Sequence, residues 1–463
     1  MKRCGLLTGN KMIMRFETEK NKTLKFALMF LYALSAMLGL GFYIRIHPAI
    51  ALNLYRVFVP ILFIIITPQL FFAFKHRLFS KLDIALFTVL ATMILYGFVM
   101  FFLSEYVTSL KDSLKENLEV VLGIFSLAIL ITLIKNENDL LTFIDIVKVL
   151  FVCLLIFALF EIFTDIHLPL SRYSDYYLMQ RLGYLPSVPF YSATTIFHNE
   201  NDYSTYLVIF APLFFANKKD SRFLFIVDCI ILGLILFVLQ INRAWICSVA
   251  LIISVVFYLL VNNKSFLKNI LKIILAVAIY QCVYFFAGIL DPNFYHMKMG
   301  LLNELSGQQE TASIGLGSMY RRLYTYFVSV KNMFVQTYGV GIGPGGFFNF
   351  LESLNDKDLL LSPHSMWVEI LVEYGIILFL TFAACIIYLF YNVCVLFKNT
   401  KKEIYAQIIC MVIAFVLASN APSGFFGMDF MWIPIGLSMI ASNLLILREK
   451  EKQNTYVFRK ESY

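Results

Sequence analysis

The chain has 463 residues, of which 60% are hydrophobic and only 15% are charged, and its mean hydropathy is +0.77. A soluble protein of this length could not bury so much apolar surface, so the composition excludes the soluble classes. The formal net charge of +8 would suit nucleic-acid binding. The Lys and Arg residues lie instead in short hydrophilic stretches between apolar runs, as in the cytoplasmic loops of membrane proteins. We therefore predict an integral membrane protein that binds no nucleic acid.

Apolar runs of about 20 residues, long enough to cross a bilayer, recur along the whole chain. They predict an all-α fold in which residues 1–463 form a single polytopic membrane domain with about twelve transmembrane helices. The predicted spans are 26–44, 54–74, 82–103, 119–134, 141–163, 201–216, 223–240, 244–261, 270–290, 366–397, 404–420 and 430–447. The first run follows a basic segment but is longer than the core of a signal peptide, so we expect a retained helix.

Basic residues are concentrated in every second connection between the spans. They are also frequent in both terminal tails, whereas the other connections contain few Lys or Arg residues. Because cytoplasmic loops carry the excess of Lys and Arg, this alternation predicts that both termini lie in the cytoplasm. A long connection, residues 291–365, then lies outside the cell membrane as a large extracytoplasmic loop inserted between late spans.

The large loop has its own predicted structure. Between Ser318 and Thr337, aromatic and aliphatic residues recur at the spacing of an amphipathic helix, which could lie on the membrane surface. Five glycines and Pro344 then follow within residues 339–346. No strand precedes these glycines and no G-K-[ST] follows them, so we expect a tight turn and not a nucleotide site. Loops this long are usually functional, and chemistry on a lipid-anchored substrate needs groups held beside the membrane.

The cysteines indicate no disulfide framework. Seven of the eight lie in apolar runs, none lies in the large loop, and no C-x-x-C occurs. This pattern is typical of small buried hydrophobic side chains. We expect neither a metal site nor another cofactor.

Three arginines are candidates for binding an anion. Arg243 lies in a very short outer connection, where an interfacial side chain that reaches the lipid headgroups would be ordinary. The positive-inside rule disfavours Arg on this side, however, and the guanidinium fork suits phosphate. Arg321 and Arg322 open the loop helix, where two cations meet the positive end of the helix dipole. They could form a solvated polar face, but a bound phosphate would relieve that repulsion.

His364 is the candidate general base. It lies between the large loop and the next span, where a headgroup would sit, and it titrates near neutral pH. An interfacial or capping histidine is the simpler alternative. His198 is a weaker candidate, because its segment is typical of a polar cap for the span that begins near Asn201. Glu161, Glu369 and Glu373 lie in or beside spans, where carboxylates are costly and often functional.

Four short segments, in order along residues 190–385, resemble the motifs of one family. They are Phe197–Asp202 for G-x-F-x-N-P-N, with Asn201 as its final Asn; Asn242–Ala244 for S-R-G/A; Arg322, Tyr326 and Tyr338–Gly343 for R-x-x-x-W … P-L-x-G-x-G; and His364–Trp367 with Glu373–Ile376 for H-N-x-x-L … E-x-G. The chain thus resembles the O-antigen polymerase and ligase superfamily of membrane glycosyltransferases, which includes polymerases of capsule and teichuronic acid synthesis. The substitutions Asn242 for Ser, Glu200 for Pro, Tyr326 for Trp and Ser365 for Asn depart from the motifs and leave the acceptor contacts open.

The resemblance implies a mechanism. The donor is a glycan on undecaprenyl pyrophosphate, and transfer is inverting and needs no nucleotide or metal. Arg243 and Arg322 would hold the pyrophosphate, with Arg321, Asn201 and Glu373 as further substrate-binding candidates, while His364 would activate the acceptor hydroxyl. The partners implied are the lipid-linked glycan and an acceptor glycan, with a flippase and a chain-length regulator as further candidates.

Other functions fit part of the pattern. A ligase would use the same donor, but polymerase is favoured because nothing in the chain demonstrates the outer membrane that ligation to lipid A needs. A lipid-linked oligosaccharide flippase or another transporter would also have about twelve spans. No internal repeat is visible and charged residues deep in the spans are scarce, which argues against a transporter. A sensor with an extracellular ligand loop is less favoured still, because no signalling domain follows the last span.

Overall fold

The computed structural model describes residues 19–47, 50–75, 79–174, 192–216, 221–262, 266–290, 313–356, 359, 364–422 and 427–461. This part of the chain is almost entirely helical, as predicted. The helices are α1 (Glu19–Leu38), α2 (Leu54–Lys75), α3 (Lys81–Leu103), α4 (Leu110–Leu133), α5 (Glu137–Thr164), α6 (Glu200–Phe210), α7 (Arg222–Ile241), α8 (Trp245–Val261), α9 (Phe266–Leu290), α10 (Ser313–Thr337), α11 (Phe347–Ser353), α12 (Met366–Thr400), α13 (Glu403–Ala418) and α14 (Trp432–Glu461).

A short antiparallel ribbon connects the first two helices. Strand β1 (Tyr43–His47) pairs with β2 (Ile50–Asn53), and Tyr43 lies opposite Asn53. One-turn 3-10 helices cover Gly39–Gly41, Ala211–Phe214 and Asp429–Met431. The ribbon is a connection, so the helical fold class is confirmed.

Eight helices within the described ranges are long and apolar enough to cross a membrane: α2, α3, α4, α5, α7, α9, α12 and the segment Asp429–Glu449. Trp245–Val261 and Glu403–Ala418 are apolar but shorter. The two remaining predicted spans fall on α1 and on α6 with its 3-10 extension. The structure therefore supports an integral membrane bundle, while the count of twelve spans stays a prediction.

The structure differs from the predicted spans at several helix boundaries, of which the start of α4 is one, and at a bend in α12. Helix α4 begins at Leu110, nine residues before the apolar run, because the Ser109 side chain accepts a 3.2 Å hydrogen bond from the Asp112 backbone N–H and starts the helix in a polar segment. Helix α12 bends at Gly375, whose φ is 77°. Hydropathy locates the membrane-crossing part of a helix, whereas caps and glycines decide where the helix starts and bends.

The ends of the helices that the charge pattern assigns to the cytoplasm lie together. Lys25 in α1 pairs with Asp139 in α5 at 2.5 Å. Glu137, also in α5, pairs with Lys402 at 2.6 Å and with Arg448 at 3.1 Å. His364, Arg243 and Asn199 lie at helix ends that the charge pattern assigns to the other side of the membrane. The cytoplasmic position of both termini stays a prediction.

Most buried side chains form one large core within the bundle, and a smaller core lies under the loop. The members of this smaller core come from α10, the glycine-rich turn (residues 339–346), α11, the segment after α11 and α12: Met333, Ile342, Phe347, Phe350, Leu351, Leu359 and Val372. The described part of the large loop is therefore packed onto the N-terminal end of α12.

The glycine-rich turn, residues 339–346, touches the bend of α12 backbone to backbone. Gly343 N–H donates to the Glu373 carbonyl at 2.9 Å, and Ile376 N–H donates to the Gly339 carbonyl at 3.0 Å. A Cβ on Gly375 would lie 1.9 Å from the Val340 carbonyl oxygen. The sequence prediction of a tight turn that allows close backbone approach is confirmed.

Candidate functional site

His364 lies directly before α12 and is held by neighbouring elements. Its φ of 46° is uncommon for a residue with a side chain. Its carbonyl accepts a 3.0 Å hydrogen bond from the Tyr326 hydroxyl of α10. On its other side, Met366 N–H donates to the Ser419 carbonyl at 3.0 Å, which ties the start of α12 to the end of α13. The backbone at His364 is thus held by α10, α12 and the end of α13.

The electrostatic state of this imidazole suits a proton acceptor. Its Nδ1 atom is buried and has no hydrogen-bond partner among the described residues. Burial, and secondly the positive charge of Arg322, lower the pKa of His364 to about 4. The ring is therefore neutral at pH 7, and a ring nitrogen is available to take a proton.

Arg322 is the positively charged residue whose field reaches this histidine. Its side chain lies half-buried on α10 and interacts electrostatically with His364, with Tyr326 and with Cys247 near the start of α8. Cys247 in turn lies 3.5 Å from the Thr205 hydroxyl of α6, which also donates to the carbonyl of Ala418 at 3.3 Å. The loop helix, α6, the start of α8 and the point where the end of α13 meets the start of α12 therefore lie close together.

Arg243 lies directly before α8, at the same end of that helix as Cys247. It occupies the tight turn between α7 and α8 with φ of 51°, and its carbonyl accepts from Trp245 N–H at 3.1 Å. The side chain is exposed. A helix N-terminus favours an anion, because its unpaired N–H groups and the helix dipole both attract negative charge. Arg243 thus directly precedes α8, and Arg322, from a separate segment, acts electrostatically on Cys247 in the first turn of the same helix.

Asn242, the residue before this arginine, is buried and fixes the turn. Its side-chain carbonyl accepts from Ala193 N–H at 2.9 Å, and its amide donates to the Ala193 carbonyl at 2.9 Å. The amide also donates to the Ser204 hydroxyl of α6 at 3.2 Å. A Ser, which the family motif has here, is too short to make this two-way pairing.

The polar segment before α6 is a helix cap, as the sequence predicted. The cap is Asn199, whose side chain accepts from the backbone N–H of Asn201 at 2.9 Å and of Asp202 at 3.0 Å. Asn201 is half-buried in the first turn. His198 is exposed, and its Nδ1 lies 3.2 Å from the Leu170 carbonyl. These contacts place Asn201 at the outer end of α6 and give His198 a role in attaching this segment.

Arg321 and Glu373, the two other charged candidates, have different surroundings from each other. Arg321 is exposed on α10, unlike its half-buried neighbour Arg322. Glu373 is buried, and its carboxylate accepts from Gly345 N–H at 3.0 Å. The structure therefore brings Glu373 to the glycine-rich turn, where it holds the loop against α12.

Several large apolar side chains in and directly after α10 are exposed. Leu323, Phe327, Val335 and Tyr338 are between 55% and 90% exposed, whereas Thr325, Ser329 and Met333 are fully buried. Exposed apolar side chains on a helix suit an environment of lipid.

Sequence reasoning missed several charged and polar side chains at this end of the bundle. Arg56 pairs with the buried Glu119 at 3.0 Å, and Asn53 donates to Asp429 at 3.2 Å. Their partners are 63 and 376 residues away, so no local spacing connects them. Within the described ranges, no group of three or more His, Cys, Asp or Glu side chains is arranged to hold a metal ion.

These features define the class of protein: an integral membrane helical bundle with a neutral histidine, a nearby arginine and two helix starts at one end. No family model matches the chain. It is similar to the teichuronic acid biosynthesis protein TuaE of Bacillus subtilis (strain 168), with 22% identity over 384 residues, which cover 76% of this chain and 70% of that protein.

Proposed function

We propose that the protein is a membrane glycan polymerase of cell-surface polysaccharide synthesis. It transfers an oligosaccharide from undecaprenyl pyrophosphate to the hydroxyl of an acceptor sugar. The observation that carries this proposal is the buried Nδ1 of His364, which has no hydrogen-bond partner within the described ranges and feels the charge of the half-buried Arg322. The similarity to a teichuronic acid biosynthesis protein supports the same pathway class.

The pyrophosphate of the donor binds between Arg322 and Arg243. These two cations come from α10 and from the α7–α8 turn, so an anion between them joins the loop helix to the bundle. The start of α8 adds a favourable dipole. Cations already in place where the leaving group gains charge stabilise the transition state more than the ground state. Arg321, on the exposed side, contributes to the general attraction of the anion.

His364 takes the proton of the acceptor hydroxyl. The hydroxyl oxygen forms a bond to the anomeric carbon, the bond from that carbon to the phosphate oxygen breaks, and the undecaprenyl pyrophosphate leaves with the electron pair. Attack from the face opposite the leaving group inverts the anomeric configuration. A bound pyrophosphate stabilises the imidazolium, so the donor itself raises the basicity of His364 above that in the free protein.

The surrounding residues position these groups. Glu373 holds the glycine-rich turn against α12, and Asn201 lies at the outer end of α6, where acceptor sugar can reach it. The exposed apolar side chains of α10 contact lipid, so a lipid-linked donor reaches Arg322 from within the bilayer. A flippase that delivers the donor and a chain-length regulator are the partners that this reaction would use.

The proposed orientation places this site outside the cytoplasmic membrane, with both termini in the cytoplasm. Cysteine labelling in intact cells tests it, in a background whose native cysteines are replaced. We expect Ser353→Cys on α11 to react with an impermeant thiol reagent, and Asn399→Cys at the other end of α12 to react only after permeabilisation. The reverse pattern would contradict the orientation.

The activity is tested with purified protein and purified lipid-linked repeat units, without added nucleotide. We expect the repeat units to join into longer chains on the lipid. A flippase would move the lipid across a liposome membrane and leave its glycan unchanged, and a ligase would transfer the glycan only to a second kind of acceptor. Either of these results would replace the polymerase proposal.

A further inference from the structure

The segment 192–197, called here the strap, leads into α6 and is held on both sides by buried side chains. Asn242 pairs with both backbone groups of Ala193, as described above. On the other side, the Glu161 carboxylate accepts from Thr194 N–H at 2.9 Å and from Thr195 N–H at 2.6 Å. The strap therefore connects the outer end of α5 to the turn that contains Arg243.

Glu161 has no access to a substrate. The residue is fully buried at the outer end of α5, and one carboxylate oxygen accepts both hydrogen bonds from the strap. A buried carboxylate is costly unless it is paired. Since the atoms it touches are the backbone of the strap and a histidine, its effect is on geometry.

That histidine supplies the balancing charge. The His167 ring, 1% exposed, has Nδ1 at 3.5 Å from Glu161 and Nε2 at 3.3 Å from Asp165. Burial alone would lower its pKa, but the hydrogen bonds with Asp165 and Glu161 raise the pKa of His167 to about 9. His167 therefore lies between the two carboxylates and helps to orient Glu161 towards the strap.

Two strained backbone positions are maintained by this network. Thr195 and Arg243 both have φ of 51°, a region that residues with a Cβ occupy at a cost. Such conformations persist only where the surroundings fix them. Here the fixing contacts run from Glu161 through the strap to Asn242, and end one residue before Arg243.

We propose that Glu161 is a positioning residue that sets the orientation of Arg243 through the strap and Asn242. The inference rests on the proposed function, in which Arg243 holds the donor pyrophosphate. It assigns Glu161 a role at a distance, and it explains why a fully buried carboxylate lies near the end of α5.

A double-mutant cycle tests the route of the effect. We expect Glu161→Gln and Asn242→Ala each to lower kcat for chain growth about 10²-fold, as a misplaced binding group does. In an Arg243→Ala background the same changes should lower kcat less than about threefold, since the group they position is gone. Glu119→Gln, which alters a different buried carboxylate, is the matched control and should have the same effect in both backgrounds. Equal losses for Glu161→Gln in both backgrounds would overturn the inference.

A spectroscopic measurement decides the same question without any activity. Trp245, next to the Arg243 turn, is 50% exposed, whereas Trp432 is 1% exposed and Trp367 is half-buried. We expect acrylamide quenching of tryptophan fluorescence to change in Glu161→Gln and Asn242→Ala and to stay at the wild-type value in Glu119→Gln. Unchanged quenching in both strap variants would overturn the inference, even if the wild-type protein joins lipid-linked glycans. If quenching changes in both strap variants but the wild-type protein does not join lipid-linked glycans, the structural link is retained and the proposed function is rejected.

Discussion

The Tyr326 hydroxyl donates a 3.0 Å hydrogen bond to the backbone carbonyl of His364. This contact joins the loop helix to the residue before α12, and it supports the left-handed φ of His364. We expect Tyr326→Phe to lower kcat about five- to tenfold, since a single net hydrogen bond contributes about 1 kcal/mol. The assay is chain growth on lipid-linked repeats. Tyr106→Phe is the control, because it removes a 2.8 Å hydrogen bond from the Tyr106 hydroxyl to Gln336 near the other end of the loop helix. An equal loss there would argue against a specific role.

His364 itself should be essential. If it takes the acceptor proton, His364→Ala lowers chain growth about 10²–10⁴-fold while the amount of protein in the membrane stays normal. His198→Ala is the matched control, because its imidazole is exposed and contacts only the Leu170 carbonyl among the hydrogen bonds described. Polymer of near wild-type length from the His364 variant would remove this residue from the mechanism.

The pH dependence should follow the lowered pKa of His364. The base must be neutral, so kcat/KM of the free enzyme should fall as the pH drops through about 4 and stay level above it. Arg322→Gln removes a cation that lowers this pKa, so the acid limb should move upward, towards the ordinary value of 6.5. Arg321→Gln should leave the limb in place. An unmoved limb in Arg322→Gln would show that the two groups do not interact.

The sequence predicted the features that depend on local pattern. The helix over Ser318–Thr337, the cap before α6 and the tight glycine-rich turn follow from periodicity, capping chemistry and glycine content. The contact of Glu161 with Thr194 links residues 33 apart, across a connection with no regular spacing. Such a pairing depends on how helices pack and cannot be derived from local pattern. For the same reason, the sequence did not predict the contact of Glu373 with the glycine-rich turn, while its part in substrate binding stays a prediction.

Gly375 should tolerate no side chain. Its φ is 77°, and a Cβ would lie 1.9 Å from the Val340 carbonyl oxygen. We expect Gly375→Ala to destabilise the loop by at least about 3 kcal/mol, because it combines left-handed strain with a backbone clash. The melting temperature in detergent should fall and proteolysis of the loop should increase. Gly427→Ala is the control, since a Cβ there would be 3.4 Å from its nearest neighbours. Wild-type stability of the Gly375 variant would mean that the turn does not rest on the α12 bend.

The arginine pair provides the most direct test of the donor site. Arg243 directly precedes α8, Arg322 acts electrostatically on Cys247 in its first turn, and only a guanidinium can bind phosphate with two parallel hydrogen bonds. We therefore expect Arg243→Lys and Arg322→Lys each to lower turnover by roughly 10²-fold, although both keep the positive charge. Arg321→Ala should be milder than Arg322→Ala, because Arg321 is exposed and Arg322 is half-buried beside His364. The measurement is turnover of purified lipid-linked repeat units at saturating acceptor. Full activity in both Lys variants would show that the pyrophosphate is held elsewhere, and equal losses in the two Ala variants would leave only a general attraction of the anion.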